Sequence, residues 1–126
     1  WTGAFSDGST AATMSSSAGR YTKIGNQVTV TAYLVTSNID GISGNMRITG
    51  LPFTVYNDNS RYSTASIGYA AGLDITAGEH ISGYPEKNST VINLQCWDAT
   101  TGTTNLQHSE LTADGGIMIS LTYFTT

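Results

Sequence analysis

From Gln27 to Ser37 the chain alternates with a period of two, and no other feature limits its fold more. Val28, Val30, Ala32 and Leu34 fall on one face, while Thr29, Thr31, Tyr33 and Val35 fall on the other. A helix would scatter these residues around its axis, whereas a strand sorts them. Gly19-Arg20-Tyr21-Thr22-Lys23-Ile24 comes just before, and Gly25-Asn26 separates the two runs. Glycine supplies the positive φ that the first central position of a type II′ turn requires, so residues 19–37 read as a β-hairpin.

Further strands follow at the spacing of an antiparallel sandwich or barrel. Asn45–Thr49 alternates and stops at Gly50-Leu51-Pro52-Phe53, since Pro52 cannot donate to a ladder. Thr64–Ala71 carries Ile67 and Tyr69 on one parity, His80–Tyr84 is short, and Thr90–Trp97 is strong. Thr103–Gln107 is weaker. In the last run, Ile117, Ile119, Leu121 and Tyr123 share a face. No apolar stripe of helical period runs for three turns, and at most one turn is expected near Ser109-Glu110-Leu111. Ser6–Ala18 reads as a long loop or a poorly patterned strand. The 126 residues are expected to form one domain, 1–126, large enough to bury a core. The composition agrees: 20 Thr, 14 Ser, 14 Gly and 8 Asn suit pleated surfaces joined by tight turns.

Only 11 % of residues are charged, and the net charge is −4. The five cations (Arg20, Lys23, Arg47, Arg61, Lys87) are scattered along the chain, so no basic stripe is expected and nucleic acid is not an expected partner. No run reaches the roughly 18 apolar residues of a membrane helix, so membrane insertion is not expected. Cys96, the one cysteine, sits in an apolar stretch and reads as a buried thiol. The chain opens at Trp1 rather than methionine, and a longer parent protein is expected.

Catalytic constellations are missing. His80 and His108 have no ligand-spaced cysteine or carboxylate, there is no Gly-x-Ser-x-Gly elbow, and no Gly-rich phosphate loop precedes a helix. Asp40, Asp58, Asp74, Asp98 and Asp114 sit in turn contexts, where a carboxylate commonly bonds nearby backbone. Asn57-Asp58-Asn59 lacks the later Gly and Glu of a calcium loop. Neither enzyme activity, nor a metal, nor a cofactor is expected. The best ligand-site candidate is Tyr56-Asn57-Asp58-Asn59-Ser60-Arg61-Tyr62, which puts two amphipathic rings, two amides, a carboxylate and a guanidinium within seven residues. If consecutive strands run antiparallel, loops 52–62 and 84–89 share one end, bringing Tyr84, Glu86, Lys87 and Asn88 towards that cluster. Loops 6–19, 37–44 and 98–103 share the other.

Gly19-Arg20-Tyr21-Thr22-Lys23-Ile24-Gly25-Asn26, the Val-rich strand after it and Gly50-Leu51-Pro52-Phe53 resemble the C-terminal, distal domains of bacteriophage tail-fibre proteins. The Trp1-Thr2 start and the Ile119–Tyr123 ending fit the same style. The resemblance is specific in the first half and loose after about Ala71. It implies a jelly-roll-like β-sandwich assembled as a homotrimer in the virion, acting outside the cell on a bacterial surface polysaccharide or an outer-membrane receptor. Two other functions fit such a domain: a structural virion or head-fibre part without a receptor, and a carbohydrate-binding module. The matching residues are scaffold, so the resemblance transfers no binding residues. Tyr56, Asn57, Asp58, Asn59, Arg61, Tyr62 and Tyr84 are the expected ligand-contacting set.

Overall fold

The computed structural model describes residues 1–126 throughout. Nine strands form: β1 (Ala4–Ser6), β2 (Thr13–Ile24), β3 (Gln27–Asn38), β4 (Arg47–Thr49), β5 (Ala65–Leu73), β6 (Ile81–Pro85), β7 (Ile92–Ala99), β8 (Gly102–Asn105) and β9 (Leu111–Phe124). The only helical elements are single 3-10 turns at Asn59–Arg61 and His108–Glu110. The second lies where one turn was expected. No helix is long and apolar enough to cross a membrane.

All strand pairs are antiparallel, as expected, but hydrogen bonding runs through one sheet instead of two stacked ones. Its order is β1-β4-β7-β6-β5-β9-β3-β2, with β8 added to β7. The sheet curls until its two edges meet. There the Trp1 amino group donates to the Gly19 carbonyl (3.3 Å) and the Ser17 hydroxyl to the Gly3 carbonyl (2.9 Å). The result is a nearly closed barrel. Register shifts in β2 near Met14 and in β5 at Ile67/Tyr69 and Ala71/Leu73 sharpen the curl, because an extra residue on one strand bends it and raises its twist.

The hairpin forms as its sequence dictates. β2 and β3 pair from Ile24↔Gln27 to Thr13↔Asn38. Gly25 has φ +60° while Asn26 stays negative, which fits a II′ turn and excludes I′. Val28, Val30 and Leu34 are fully buried and Ala32 partly, all inside the barrel. Burying each large one contributes roughly 1.5–3 kcal/mol. From β9, Ile117, Ile119, Leu121 and Tyr123 join them, alongside Phe5, Met46, Ile48, Ile92, Leu94 and Leu106. Cys96 is buried, as expected. Burial, with Glu110, Glu79 and Asp98 nearby, pushes its thiol up to about 11.

Two expectations need correction. Ile67 and Tyr69 do not share a face, because the bulge between them turns Ile67 partly inward and leaves Tyr69 outside. The segment Ser6–Ala18 is neither a plain loop nor one strand: β1 ends in it, a turn held by Asp7 crosses it, and β2 begins at Thr13.

Candidate ligand-binding site

Antiparallel pairing puts the Gly25-Asn26 turn, residues 50–64, residues 86–91 and the C-terminus at one end of the barrel, here the hairpin end. Loops 7–12, 38–46, 74–80, 100–101 and 106–110 occupy the far end. Loops 52–62 and 84–89 therefore meet as expected. Leu51 donates to the Thr90 carbonyl (3.0 Å), Val55 to Ser89 (2.9 Å) and Asn88 to Val55 (3.0 Å). Asn88 takes φ +57°, a left-handed value that asparagine tolerates in tight turns. Loop 52–62 is also laced to the end of β9. Tyr56 donates to the Phe124 carbonyl (2.8 Å), the Thr125 hydroxyl to Thr54 (2.7 Å) and the Tyr123 hydroxyl to Phe53 (3.1 Å).

On this frame the predicted residues assemble into a rim. Asp58 caps the short 3-10 turn, its Oδ1 accepting the Ser60 amide (2.9 Å) and hydroxyl (2.7 Å). These bonds, with smaller help from Arg61 and Lys87, hold its carboxyl below the usual aspartate value. Asp58 Oδ2 lies 3.4 Å from Arg61 Nε. The Arg61 guanidinium stands over two rings, Tyr56 and Phe124, at 5.2 Å from each centroid. Lys87 bonds the Asn59 side-chain oxygen and sits 4.9 Å from the Tyr62 centroid. Beside them Lys23 lies 5.5 Å from the Phe53 ring, which meets Tyr21 edge-on. Cations held over ring faces in this way are stabilised by the ring quadrupole. Tyr56 (38 %) and Tyr62 (61 %) keep much of their surface in solvent, as does Asn57.

Tyr84 is the exception. It faces outward from β6 opposite Asn93, and no hydrogen bond or ring contact ties it to the rim. Conversely, Lys23, Phe53 and Phe124 carry no local signal for the rim, because strand pairing across the barrel brings them in. The scattering of the cations also ends in the fold. Lys23, Arg61 and Lys87 stand at the hairpin end with only Asp58 and Glu86. The other seven carboxylates lie towards the far end with Arg47.

Most of those far-end acids already have partners. Asp7 accepts the amides of Ser9 and Thr10 (2.7 Å each) and of Ser43 (3.1 Å). Glu79 takes the Thr76 amide, Glu110 the Gln107 amide and Asp114 the Thr112 hydroxyl. Donor atoms of Cys96, Asp98 and Glu110 lie within 4.8 Å of one another. Burial keeps this thiol protonated at neutral pH, and Asp98 accepts the Thr104 hydroxyl (2.6 Å). On the outer wall a shallow hollow of about 420 Å³ crosses β2, β3, β9 and β5. Tyr33 and Met118 line it in register, and Tyr69 continues the row beside Met118 on β5.

No family model matches the chain, and no curated protein matches it. Among solved structures it is similar to the Dettilon tailspike protein (gp208), with a TM-score of 0.81 and 20 % identity over 98 % of this chain. That match covers 23 % of the tailspike chain, so the present chain spans about a quarter of its length. A likeness at this identity establishes a shared fold.

Proposed function

We propose that this domain is a virion tail module that attaches a bacteriophage to the surface of its bacterial host. It makes contact through the loops of the hairpin end and acts as a binding module, not an enzyme. One observation carries the reading: two loops distant in sequence converge on a solvent-facing rim of tyrosine rings and cations fixed in position by hydrogen bonds and ring faces. Tyrosine rings present C–H-binding faces and a hydroxyl at low entropic cost, which suits a surface polysaccharide or a receptor loop. The sequence resemblance to tail fibres and the tailspike fold likeness support the same assignment. The rim's best-placed carboxylate, Asp58, is held as an ionised acceptor by Ser60 and Arg61, which suits a positioning role and not a proton donor.

Assembly as a homotrimer belongs to the same proposal. The exposed row Tyr33–Met118–Tyr69 gives the outer wall an apolar surface suited to packing against another copy. The same row favours a second reading, a structural virion domain whose main contacts are with its own copies. Adsorption competition separates the two. The purified domain should occupy host cells and block phage adsorption, and Tyr56→Ala, Arg61→Ala or Tyr62→Ala should remove the block. A stable trimer without host binding selects the structural reading, and a monomer by light scattering at micromolar concentration argues against assembly.

A further inference from the structure

We infer that the hairpin end selects an anionic saccharide, one bearing carboxylates or phosphates, through Arg61 and Lys87. The inference rests on the attachment reading above and specifies the chemistry of its ligand. The chain is acidic overall, yet its cations gather here: three of the five stand at this end beside two carboxylates, leaving +3 − 2 = +1, while seven of the nine carboxylates lie away from it. An anion approaching the far end meets a negative field, and one approaching the hairpin end does not. Within the rim, the Arg61 Nε lies 3.4 Å from Asp58 as an ion pair, and neither terminal amino group has a protein acceptor. A planar fork of that kind binds carboxylate or phosphate through two parallel hydrogen bonds. Lys87 spends one donor on Asn59 and keeps two.

The cations are also pre-positioned. Arg61 is confined between Asp58 and the Tyr56 and Phe124 rings, and Lys87 between Asn59 and Tyr62, so less side-chain freedom is lost when a ligand binds. Both lie near enough to help lower the Asp58 carboxyl, which puts them on one patch. Exposed rings beside them offer stacking faces to the sugar itself. The arrangement thus pairs a ring platform with two cationic donors, the complement of a sugar ring carrying an acidic group.

Titration calorimetry on the whole domain tests this with three probes: tetragalacturonate, its carboxyl-reduced neutral counterpart, and a glycerol-phosphate oligomer. At least one acidic probe should bind and the neutral one should bind at least tenfold more weakly, with affinity falling as NaCl rises from 50 to 300 mM. Whichever acidic probe binds more tightly identifies the source of the anion. Arg61→Gln and Lys87→Gln should each weaken that binding about tenfold. Asp58→Asn should tighten it several-fold, because the carboxylate competes with the ligand for Arg61. Loss of fold would weaken binding in all three variants, so the opposite sign for Asp58→Asn separates recognition from unfolding. Equal binding of neutral and acidic probes overturns the anion selection and leaves attachment at this end standing. Binding of none of the probes by a domain that still blocks adsorption overturns it too. A domain that does not block adsorption removes the attachment reading itself.

Discussion

The two ends of the barrel are built by different means. At the far end three loops carry a local closure by their own acids: Asp7 to Ser9 and Thr10, Glu79 to Thr76, and Glu110 to Gln107. Asp7 also reaches Ser43, and His108 ties to Gly44. At the hairpin end the loops are tied to distant segments, with residues 53–56 held by Tyr123, Phe124 and Thr125 and residue 55 by Ser89. Carboxylates consumed as turn acceptors have little left for a ligand, whereas a loop fixed through its backbone leaves its side chains free. The contrast explains why the far end carries most of the charge and the hairpin end carries the candidate site.

The hardest test of that long-range lacing is Gly50, where loop 50–64 leaves β4. It has φ +94°, and a β-carbon there would press on the Thr2 carbonyl oxygen, a backbone atom with little room to move. Strain and overpacking together predict a loss of roughly 3 kcal/mol or more for Gly50→Ala. Urea unfolding measures it. A near-neutral result would mean that the loop is not seated against the Trp1–Gly3 segment and that long-range ties hold this end less firmly.

Tyr123 probes the same lacing through its hydroxyl, which donates to the Phe53 carbonyl and accepts the Phe53 amide (3.3 Å). Burial pushes this phenol up to about 12 from an ordinary 10. Because the folded value is raised, its contribution is complete below pH 10 and is lost as pH climbs towards 12, where the unfolded chain gives up its proton first. The alkaline loss should be on the order of 2 kcal/mol. Tyr123→Phe should cost about 1–2 kcal/mol at neutral pH by stranding the Phe53 groups, while flattening this alkaline limb. Stability curves at pH 8, 10 and 11.5 decide it.

Much of the frame was legible in the sequence because β3 and β9 carry clean alternation, and strand parity then assigned loops 52–62 and 84–89 to one end. The strand β1 was not, since three residues (Ala4–Ser6) are too few to show a period. Closure was hidden as well: it depends on Trp1 and Ser17 reaching across the sheet edges. In the site, Tyr56, Arg61 and Tyr62 were legible as residue types suited to a ligand. Their pairing with Lys87 and Phe124 was not, because register decides it and local spacing does not. Tyr84 stands apart from the rim for the complementary reason: a residue beside that loop can still face another wall.

A smaller effect should separate local from long-range construction at the far end. Asp7→Ala frees the amides of Ser9, Thr10 and Ser43, and hydrogen exchange should accelerate at those three positions. Amides of residues 53–56 should keep their protection. If they accelerate too, the two ends are coupled.

The smallest expected change concerns the two carboxylates whose values are lowered, one at each end. Each is held ionised by hydrogen bonds, so its stabilising contribution is present above the ordinary aspartate value and fades as pH falls through the lowered one. Asp58 differs from Asp7 in having cations beside it, yet the Ser60 bonds outweigh them. Carboxyl resonances followed by NMR from pH 6 to 2 should therefore show Asp58 rising more in Ser60→Ala, which retains only the backbone bond, than in Arg61→Gln. Asp7 should stay put in both variants. A larger rise in Arg61→Gln would mean that the ion pair, not the turn, holds Asp58. In that case Arg61 would be less available to an incoming anion than its free amino groups suggest.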